Sequence, residues 1–283
     1  MTGGKITIHD IKQAKIDHRK IVMVTAYDYP FGLMADEAGV DIVLVGDSLG
    51  MVVMGLDGTV EVTMEHMIHH IKAVVRGCKR PLIVGDMPFM SYNTSVREAI
   101  INAGRLMKEG GCDVIKLEGG KDFAPTIEAI VKAGIPVQGH IGLTPQTASA
   151  LGGFKIQGKD ALAAKRIVDD ARALEDAGAF SMILEAVPAP LGEIVAQAVN
   201  VPVIGIGAGN NVDGQVLVTH DMIGLFDKFV PKFVKQYTQI RPQIIEAIKA
   251  YKEDVTNQAF PALEHSFKMS EKALAELKEM VQK

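Results

Sequence analysis

Four carboxylate residues stand out because each one closes a short apolar run of the chain. If these runs are parallel strands of a single sheet, their carboxyl ends meet at one edge and the four acids converge there. Like charges in such a partly desolvated place repel one another unless a cation neutralises them. Oxygen ligands without cysteine favour a hard cation such as Mg²⁺ over zinc. The four residues are Asp47, Asp86, Glu118 and Glu185.

Two neighbours of these acids could recognise an anionic substrate. Lys116 precedes Glu118 by two residues, so both side chains point to the same face of a strand. A lysine in that position either balances the charge of Glu118 or clamps an anion. Ser48 follows Asp47 and could donate a hydrogen bond to the same anion.

Glu185 and His140 have different expected roles. Glu185 is flanked by the apolar stretches 182–184 and 186–190, and apolar surroundings raise the pKa of a carboxyl group. Such a group suits a general base that removes a proton from carbon, whereas a lysine partner would make it structural. His140 follows the fifth run. We expect it to hydrogen-bond to the metal ligands without binding the metal itself, although it could also be a ligand or a proton carrier.

The elements that must position these residues alternate along the chain. Helical patterns separate short runs rich in Val and Ile, which are typical of parallel strands covered on both faces. This alternation predicts an α/β fold, a (β/α)8 TIM barrel. A doubly wound open sheet is the alternative, since alternation does not show whether the sheet closes. The predicted strands are residues 21–25, 41–46, 81–86, 113–118, 135–139, 180–185, 201–205 and 222–225, and the predicted helices 30–38, 64–76, 95–108, 125–133, 160–177 and 191–199.

Flanking segments complete the predicted architecture. Residues 7–17 indicate a short N-terminal helix that closes the bottom of the barrel, and residues 226–256 indicate helical extensions. Residues 264–283 have an amphipathic helical pattern that could pack on the barrel or on a neighbouring subunit. No linker rich in Ser, Gly or Pro divides the chain. We therefore expect a single barrel domain over residues 1–283, with a C-terminal helical extension from about residue 226 to 283.

Composition excludes several classes of protein. Lys and Arg number 30 against 34 Asp and Glu, a net charge of −4, so no basic excess exists to bind nucleic acid. No apolar run approaches the roughly 18 to 20 residues that span a membrane, and residues 1–10 lack the apolar stretch of a secretory signal. Cys78 and Cys112 are the only cysteines, and we expect both to be reduced core thiols. These features predict a soluble cytoplasmic protein.

Longer motifs surround the candidate residues and occur in order from about residue 5 to 265. They are Val24-Thr25-Ala26-Tyr27-Asp28, Val45-Gly46-Asp47-Ser48-Leu49-Gly50-Met51, Lys116-Leu117-Glu118-Gly119-Gly120, Gly139-His140-Ile141-Gly142-Leu143-Thr144-Pro145-Gln146, Glu185-Ala186-Val187-Pro188, Gly205-Ile206-Gly207-Ala208-Gly209, Asp213-Gly214-Gln215-Val216-Leu217-Val218 and Pro231-Lys232-Phe233. Together they closely resemble the 3-methyl-2-oxobutanoate hydroxymethyltransferase family, also called ketopantoate hydroxymethyltransferases, of pantothenate (coenzyme A) biosynthesis.

The resemblance implies a fold, a metal and a set of residue roles. Members of the family are (β/α)8 barrels that bind a 2-oxo acid and one Mg²⁺ per subunit. By match to the family's motifs, the metal positions would be Asp47, Asp86 and Glu118, the substrate-binding positions Asp47, Ser48, Asp86 and Lys116, and the catalytic proton acceptor Glu185.

The implied reaction is a one-carbon transfer from the co-substrate 5,10-methylenetetrahydrofolate to 3-methyl-2-oxobutanoate (α-ketoisovalerate). It would give 2-dehydropantoate and tetrahydrofolate through a Mg-stabilised enolate. The folate contacts have no short motif, so no residue is assigned to them. Members of the family form homo-oligomers, often decamers, and the resemblance implies a homo-oligomer here. Residues 264–283 as an assembly element are our own hypothesis.

Three other functions are compatible with a barrel that carries acids at its mouth. A Mg-dependent 2-oxo-acid lyase or mutase of the phosphoenolpyruvate mutase and isocitrate lyase type would need a catalytic cysteine loop, and neither Cys78 nor Cys112 lies in one. A sugar-phosphate enzyme could hold phosphate at residues 205–209, but no Lys or Arg follows before residue 225. A non-catalytic barrel would bind 2-oxo acids without exchanging the proton at C3.

Overall fold

Eight parallel strands close into a barrel in the computed structural model, which describes residues 4–150 and 152–282. Each strand pairs with the next one along the chain, and the last strand pairs with the first. Closure confirms the (β/α)8 barrel and rules out the open sheet. The strands are β1 (Ile21–Thr25), β2 (Ile42–Val45), β3 (Leu82–Asp86), β4 (Val114–Glu118), β5 (Val137–Gly142), β6 (Ser181–Glu185), β7 (Val203–Ile206) and β8 (Gly214–Leu217).

Helices follow the strands and cover the outside of the barrel. Ser95 begins one of them, because its hydroxyl accepts a hydrogen bond of 3.1 Å from the main-chain N–H of Glu98, as helix N-caps require. The helix predicted at residues 95–108 ends at Arg105 and continues as a π-helical turn (Leu106–Gly110). The helices are α1 (Ile8–Ile16), α2 (Tyr29–Glu37), α3 (Leu49–Val52), α4 (Met64–Gly77), α5 (Val96–Arg105), α6 (Ala124–Lys132), α7 (Ala161–Asp176), α8 (Ala189–Ala198) and α9 (Thr219–Met222).

Alternate residues of the strands supply two apolar layers. Along β2, Ile42 and Leu44 belong to the cluster inside the barrel, whereas Val43 and Val45 pack with the surrounding helices. This two-residue period explains why each run is hydrophobic throughout, since both faces of a strand in a parallel barrel are buried. The expected four-to-six-residue runs are therefore confirmed as β1 to β7, with small shifts at their ends.

The N-terminal helix closes the bottom of the barrel, as predicted. Ile11 and Ala14 of α1 are buried in the same cluster as the side chains inside the barrel. The same helix also contacts the outer layer, because Lys15 Nζ donates to the carbonyl oxygens of Ala196, Val199 and Val201 at 2.8, 3.0 and 3.0 Å. These contacts tie α1 to the chain between α8 and β7.

The eighth strand was predicted at the wrong residues. The apolar residues 222–225 end α9 and enter a loop, while β8 is formed by Gly214–Leu217. Those four residues include Gly214 and the exposed Gln215, so they lack the continuous Val and Ile run of the other strands. Gly214 is required there because a Cβ would lie 2.5 Å from the carbonyl oxygen of Ile21 on β1.

The C-terminal extension is helical over only part of its predicted length. Residues 226–239 contain no helix, and α10 (Ile240–Thr256), a 3₁₀ turn (Leu263–His265) and α11 (Glu271–Val281) follow. Neither α10 nor α11 has a buried side chain, so neither packs closely on its own barrel. The predicted domain, 1–283, also includes residues 1–3, 151 and 283, which lie outside the described residues. Within the described ranges, no helix has the length and apolarity needed to cross a membrane.

Candidate active site

The four predicted acids meet at one end of the barrel because three of them are the last residues of strands. Asp86 ends β3, Glu118 ends β4 and Glu185 ends β6, while Asp47 follows β2 by two residues. Asp47, Asp86 and Glu118 are only 4%, 1% and 2% exposed. The Glu185 side chain is 15% exposed. The most accessible acid at this mouth is therefore the one predicted to meet the substrate as a base.

Lys116 is the buried cation of the site. Its Nζ atom lies 2.8 Å from Asp86 Oδ1 and 3.9 Å from Glu118 Oε1. Burial lowers the pKa of Lys116, but the surrounding carboxylates outweigh burial and leave that pKa above its usual value. Lys116 is therefore charged and balances part of the negative charge of its neighbours, which was one of the two roles predicted for it.

One lysine does not balance three buried carboxylates. Burial, followed by the charges of Asp86 and Glu118, raises the pKa of Asp47 well above its usual value. Burial and the charge of Glu118 also raise the pKa of Asp86, although Lys116 opposes the change. Both pKa values are raised because burial and the neighbouring carboxylates disfavour ionisation, and Lys116 alone does not offset these two effects. The set has the oxygen chemistry that a hard divalent cation prefers.

The carboxylates are nevertheless turned towards protein donors. Asp86 Oδ2 accepts from the main-chain N–H of Asp47 at 3.1 Å, and Asp86 Oδ1 faces Lys116 without an aligned hydrogen bond from any described residue. In the described ranges, no three His, Cys, Asp or Glu side chains stand in an arrangement that could hold a metal ion. The donor set thus fits a cation chemically, and side-chain adjustment would be needed to surround one.

His140 connects the buried acids with Glu185. Its Nδ1 atom lies 3.3 Å from Glu118 Oε1 and 3.4 Å from Lys116 Nζ, and its Nε2 atom lies 3.2 Å from Glu185 Oε2. Burial and the lysine charge lower the pKa of His140, but Glu118 and Glu185 outweigh both and raise it to about 9. The ring lies beside the acids, as the sequence predicted. Glu185 has apolar neighbours in sequence, yet its ionic partner in the described structure is this histidine.

The contacts of Glu118 explain why its pKa shifts in the opposite direction to that of Asp47. Burial raises the pKa of Glu118, but contacts from His140 and Lys116 and the main-chain N–H of Gln146 outweigh burial and lower it. Glu118 is therefore the acid that the protein itself keeps ionised. Asp47 is the acid with the least compensation.

Ser48 lies at the start of α3, next to the acids. Its Oγ atom is 2.8 Å from the hydroxyl oxygen of Tyr27. Tyr27 is buried, and burial raises the pKa of its hydroxyl, so the phenol is neutral and can fix the rotamer of Ser48. This places all six predicted site residues and His140 at the same mouth.

Two further residues of the site have no predicted role. Gln146 lies in a 3₁₀ turn (Pro145–Thr147) after β5, and its side-chain amide is 2.9 Å from Asp47 Oδ2. Tyr92 lies in the loop after β3, and its hydroxyl is 2.7 Å from Gln146 Oε1. Both are uncharged and lie outside the strands and long helices. The only signal in the sequence that could have identified Gln146 is the motif that contains it, and no such signal marks Tyr92.

The fold and the site define a (β/α)8-barrel enzyme whose mouth is rich in carboxylates. The family model described as ketopantoate hydroxymethyltransferase matches residues 5–263, and the chain belongs to this family. The 3-methyl-2-oxobutanoate hydroxymethyltransferase of Carboxydothermus hydrogenoformans is 54% identical over 95% of this chain and 98% of its own length. The resemblance inferred from the motifs is therefore confirmed.

Solved structures of more distant proteins share the barrel. A phosphonopyruvate hydrolase has a TM-score of 0.62 at 13% identity, with 98% of this chain and 96% of its own chain covered. A 2,3-dimethylmalate lyase of the PEP mutase/isocitrate lyase superfamily has a TM-score of 0.58 at 16% identity, with 97% and 96% covered. At such low identity, these similarities concern the fold alone.

Proposed function

We propose that this chain transfers a hydroxymethyl group from 5,10-methylenetetrahydrofolate to 3-methyl-2-oxobutanoate, giving 2-dehydropantoate and tetrahydrofolate in pantothenate biosynthesis. Family membership over nearly the whole chain supports the reaction. The observation that carries the proposal is the pairing of a buried acidic cluster around Lys116 with the more accessible Glu185 at the same mouth. Enolisation of a 2-oxo acid needs such a combination, because a positive charge must hold the substrate's carboxylate while a base removes the proton from C3.

One Mg²⁺ ion per subunit would be held by Asp47, Asp86 and Glu118. The negative charge that Lys116 leaves unbalanced supports this assignment. A bound Mg²⁺ ion would supply Lewis acidity that polarises the substrate's 2-oxo carbonyl group. Lys116 and Ser48, together with the carboxylates of Asp47 and Asp86, would line the 2-oxo acid.

Glu185 would take the proton from C3 of 3-methyl-2-oxobutanoate. His140 Nε2 contacts one of its carboxylate oxygens, which orients the group and directs its other oxygen towards the substrate. Loss of the proton would make C3 nucleophilic, and C3 would form a bond to the methylene carbon of the folate as one of the two carbon–nitrogen bonds of that carbon breaks. Water would then replace the second folate nitrogen and leave its oxygen as the new hydroxyl group. The proton from C3 and one proton of the water end on the two nitrogens, so the folate leaves as tetrahydrofolate.

Assembly and location follow from the same proposal. We infer a homo-oligomer, and a decamer is the form that family resemblance favours. The exposed apolar side chains of α10 and α11, such as Ile248 and Leu277, support burial against another subunit. The buried free thiols of Cys78 and Cys112 support a reducing compartment, the cytoplasm.

A 2-oxo-acid lyase or mutase is less well supported. Similarity to the dimethylmalate lyase concerns the fold, and both cysteines lie away from the mouth. Cys78 Sγ donates to the carbonyl oxygen of Gly32 on α2, and Cys112, two residues before β4, lies beside Gly85. A catalytic cysteine loop at the mouth is therefore not formed by either residue.

Proton NMR of 3-methyl-2-oxobutanoate in D₂O tests the proposal. Enzyme, Mg²⁺ and 5,10-methylenetetrahydrofolate should produce 2-dehydropantoate, and loss of the C3–H signal should accompany it. Exchange without product would support the base and remove the folate as donor. If the folded protein gave neither signal, the transferase reaction would be wrong, and a non-catalytic 2-oxo-acid-binding barrel would take its place.

A further inference from the structure

Gln146 is a buried residue that contacts two acids of the site, one through its side-chain amide and the other through its main-chain N–H. We propose that Gln146, supported by Tyr92, is a positioning residue that sets the separation and orientation of Asp47 and Glu118 for a divalent cation. This inference rests on the proposed function, because it assigns these two acids to the cation.

The Gln146 side chain holds Asp47 through its amide nitrogen. Nε2 is 2.9 Å from Asp47 Oδ2 and 2.9 Å from the carbonyl oxygen of Met87. Both partners are acceptors, so only the NH₂ end of the amide can face them. The two protons of that group are then fully used. The orientation of the amide is fixed, and the contact restrains Asp47 Oδ2, because its loss would leave a buried donor unpaired. The side-chain adjustment that surrounds a cation would have to keep this contact.

Glu118 is held through the main chain of the same residue. The N–H of Gln146 donates to Glu118 Oε2 at 3.0 Å. Glu118 Oε1 is left to face His140 Nδ1 at 3.3 Å. The 3₁₀ turn that contains Gln146 therefore positions one oxygen of Glu118, just as its side chain positions one oxygen of Asp47.

Tyr92 contacts both Gln146 and Glu118, and the three residues form a hydrogen-bonded network with Asp47. Its hydroxyl accepts from the main-chain N–H of Glu118 at 3.2 Å and lies 2.7 Å from Gln146 Oε1. The hydroxyl has a single proton to donate and two acceptors within reach, Gln146 Oε1 and the carbonyl oxygen of Glu118 at 3.1 Å. The proton is assigned to Gln146 because that distance is the shorter one. Tyr92 thereby satisfies the oxygen end of the amide that Asp47 and Met87 leave free.

The strand order shows which part of the site this link spans. Asp47 follows β2 and Glu118 ends β4, and β3 lies between these strands. The ladders of β3 with both neighbours fix the main chains, whereas the orientation of the two side chains depends on groups that contact their carboxylates. Gln146 comes from beyond β5 and crosses this gap. Groups that orient metal ligands in this way commonly change metal affinity by about 10- to 100-fold when they are removed.

The chain offers a matched control for the substitution Gln146→Met. Gln138 is also a buried glutamine, but it lies on β5 and its Nε2 atom donates to Ser181 Oγ. Gln138→Met removes a buried glutamine amide of the same size without touching Asp47 or Glu118. Both variants would be compared with the wild-type protein by thermal melting and by calorimetric titration with MgCl₂ alone.

We expect Gln146→Met to weaken Mg²⁺ binding by about 10- to 100-fold, while Gln138→Met retains the wild-type dissociation constant. Tyr92→Phe, which keeps the amide in place, should weaken binding by about 5-fold, the value of one neutral hydrogen bond. It also tests the inference if Gln146→Met fails to fold.

Three results would overturn the inference. Equal Mg²⁺ affinity in wild-type and both Gln146→Met and Tyr92→Phe proteins would show that the network does not position the acids. Parallel losses in Gln146→Met and Gln138→Met would reduce the role to general packing. Absence of Mg²⁺ binding by the wild-type protein would overturn the cation assignment in the proposed function as well, which distinguishes that failure from the first two.

Discussion

His140 Nε2 lies 3.2 Å from Glu185 Oε2, and the other nitrogen of the same ring lies 3.3 Å from Glu118 Oε1. The barrel register explains this bridge, because β5 lies between β4 and β6 and pairs His140 directly with Glu118. One buried imidazole therefore links an acid of the proposed cation site to the proposed base.

Substitution of Glu185 tests the proton transfer separately from binding. Glu185→Gln keeps an oxygen that can accept from His140 but cannot take up a proton, so exchange of the substrate's C3–H in D₂O should fall by about 100-fold or more. Calorimetry should show that Mg²⁺ binding is retained. Glu193→Gln, on the outer surface of α8, is the matched control and should exchange normally. Exchange at the wild-type rate in Glu185→Gln would show that another group removes the proton.

Sequence patterns were sufficient where a residue's environment follows from its position along the chain. The strands β1 to β7 are continuous apolar runs because both of their faces are buried, and Asp86, Glu118 and Glu185 were found because they close such runs. The strand β8 was missed because its first residue must be glycine, which allows close contact with β1, and its second residue is the exposed Gln215. These two residues leave no continuous apolar run to recognise.

The network around the acids could not be predicted for a different reason. Gln146 and Tyr92 are uncharged and lie in loops after different strands, so neither periodicity nor charge marks them. Their contacts depend on how three loops fold over the mouth of the barrel. The bridge formed by His140 likewise depends on the register of β5 with β4, which the sequence alone does not reveal.

Backbone conformation beside Glu185 supports a prediction about stability. Ala186 has a φ angle of 49°, and its neighbours hold it there, since its N–H donates to Ile206 and its carbonyl accepts from Gln157. Such a conformation costs a β-branched residue more than alanine and costs glycine almost nothing. Ala186→Val should therefore lower the free energy of unfolding by about 2 kcal/mol and also reduce kcat, because Glu185 would move.

Ala186→Gly is the control for that experiment, and it should keep both the stability and the activity of the wild-type protein to within about 1 kcal/mol. Urea unfolding and steady-state kinetics provide the two measurements. Wild-type stability in Ala186→Val would contradict the strained backbone beside Glu185.

Asp86 provides a direct test of the proposed cation site. Asp86→Asn keeps the shape of the side chain but removes a charge, so Mg²⁺ affinity measured by calorimetry should fall by about 10-fold or more. The matched control is Asp221→Asn, which neutralises another buried carboxyl group at the same end of the barrel, on α9 after β8. It should bind Mg²⁺ as the wild-type protein does. Unchanged affinity in Asp86→Asn would remove Asp86 from the ligands.

Asp221 also predicts how stability depends on pH. Burial raises the pKa of this carboxyl group from 3.8 to about 6, and its Oδ1 atom has no hydrogen-bond partner among the described residues. Between about pH 4 and pH 6 the folded protein keeps a proton that the unfolded chain has lost, so the free energy of unfolding falls as the pH rises through this range. A difference of this size corresponds to about 3 kcal/mol, at 1.36 kcal/mol for each pKa unit.

Asp221→Asn has no proton to lose at this position, and its stability should not show that fall. The two proteins should be similarly stable at pH 4, and the variant should become more stable by up to about 3 kcal/mol at pH 7. Urea unfolding at pH 4, 5, 6 and 7, at one fixed protein concentration because assembly contributes to stability, measures this difference. If the stabilities of the two proteins instead changed in parallel over this range, Asp221 would be ionised in the folded protein at no cost, and its burial would have to be relieved by a partner group.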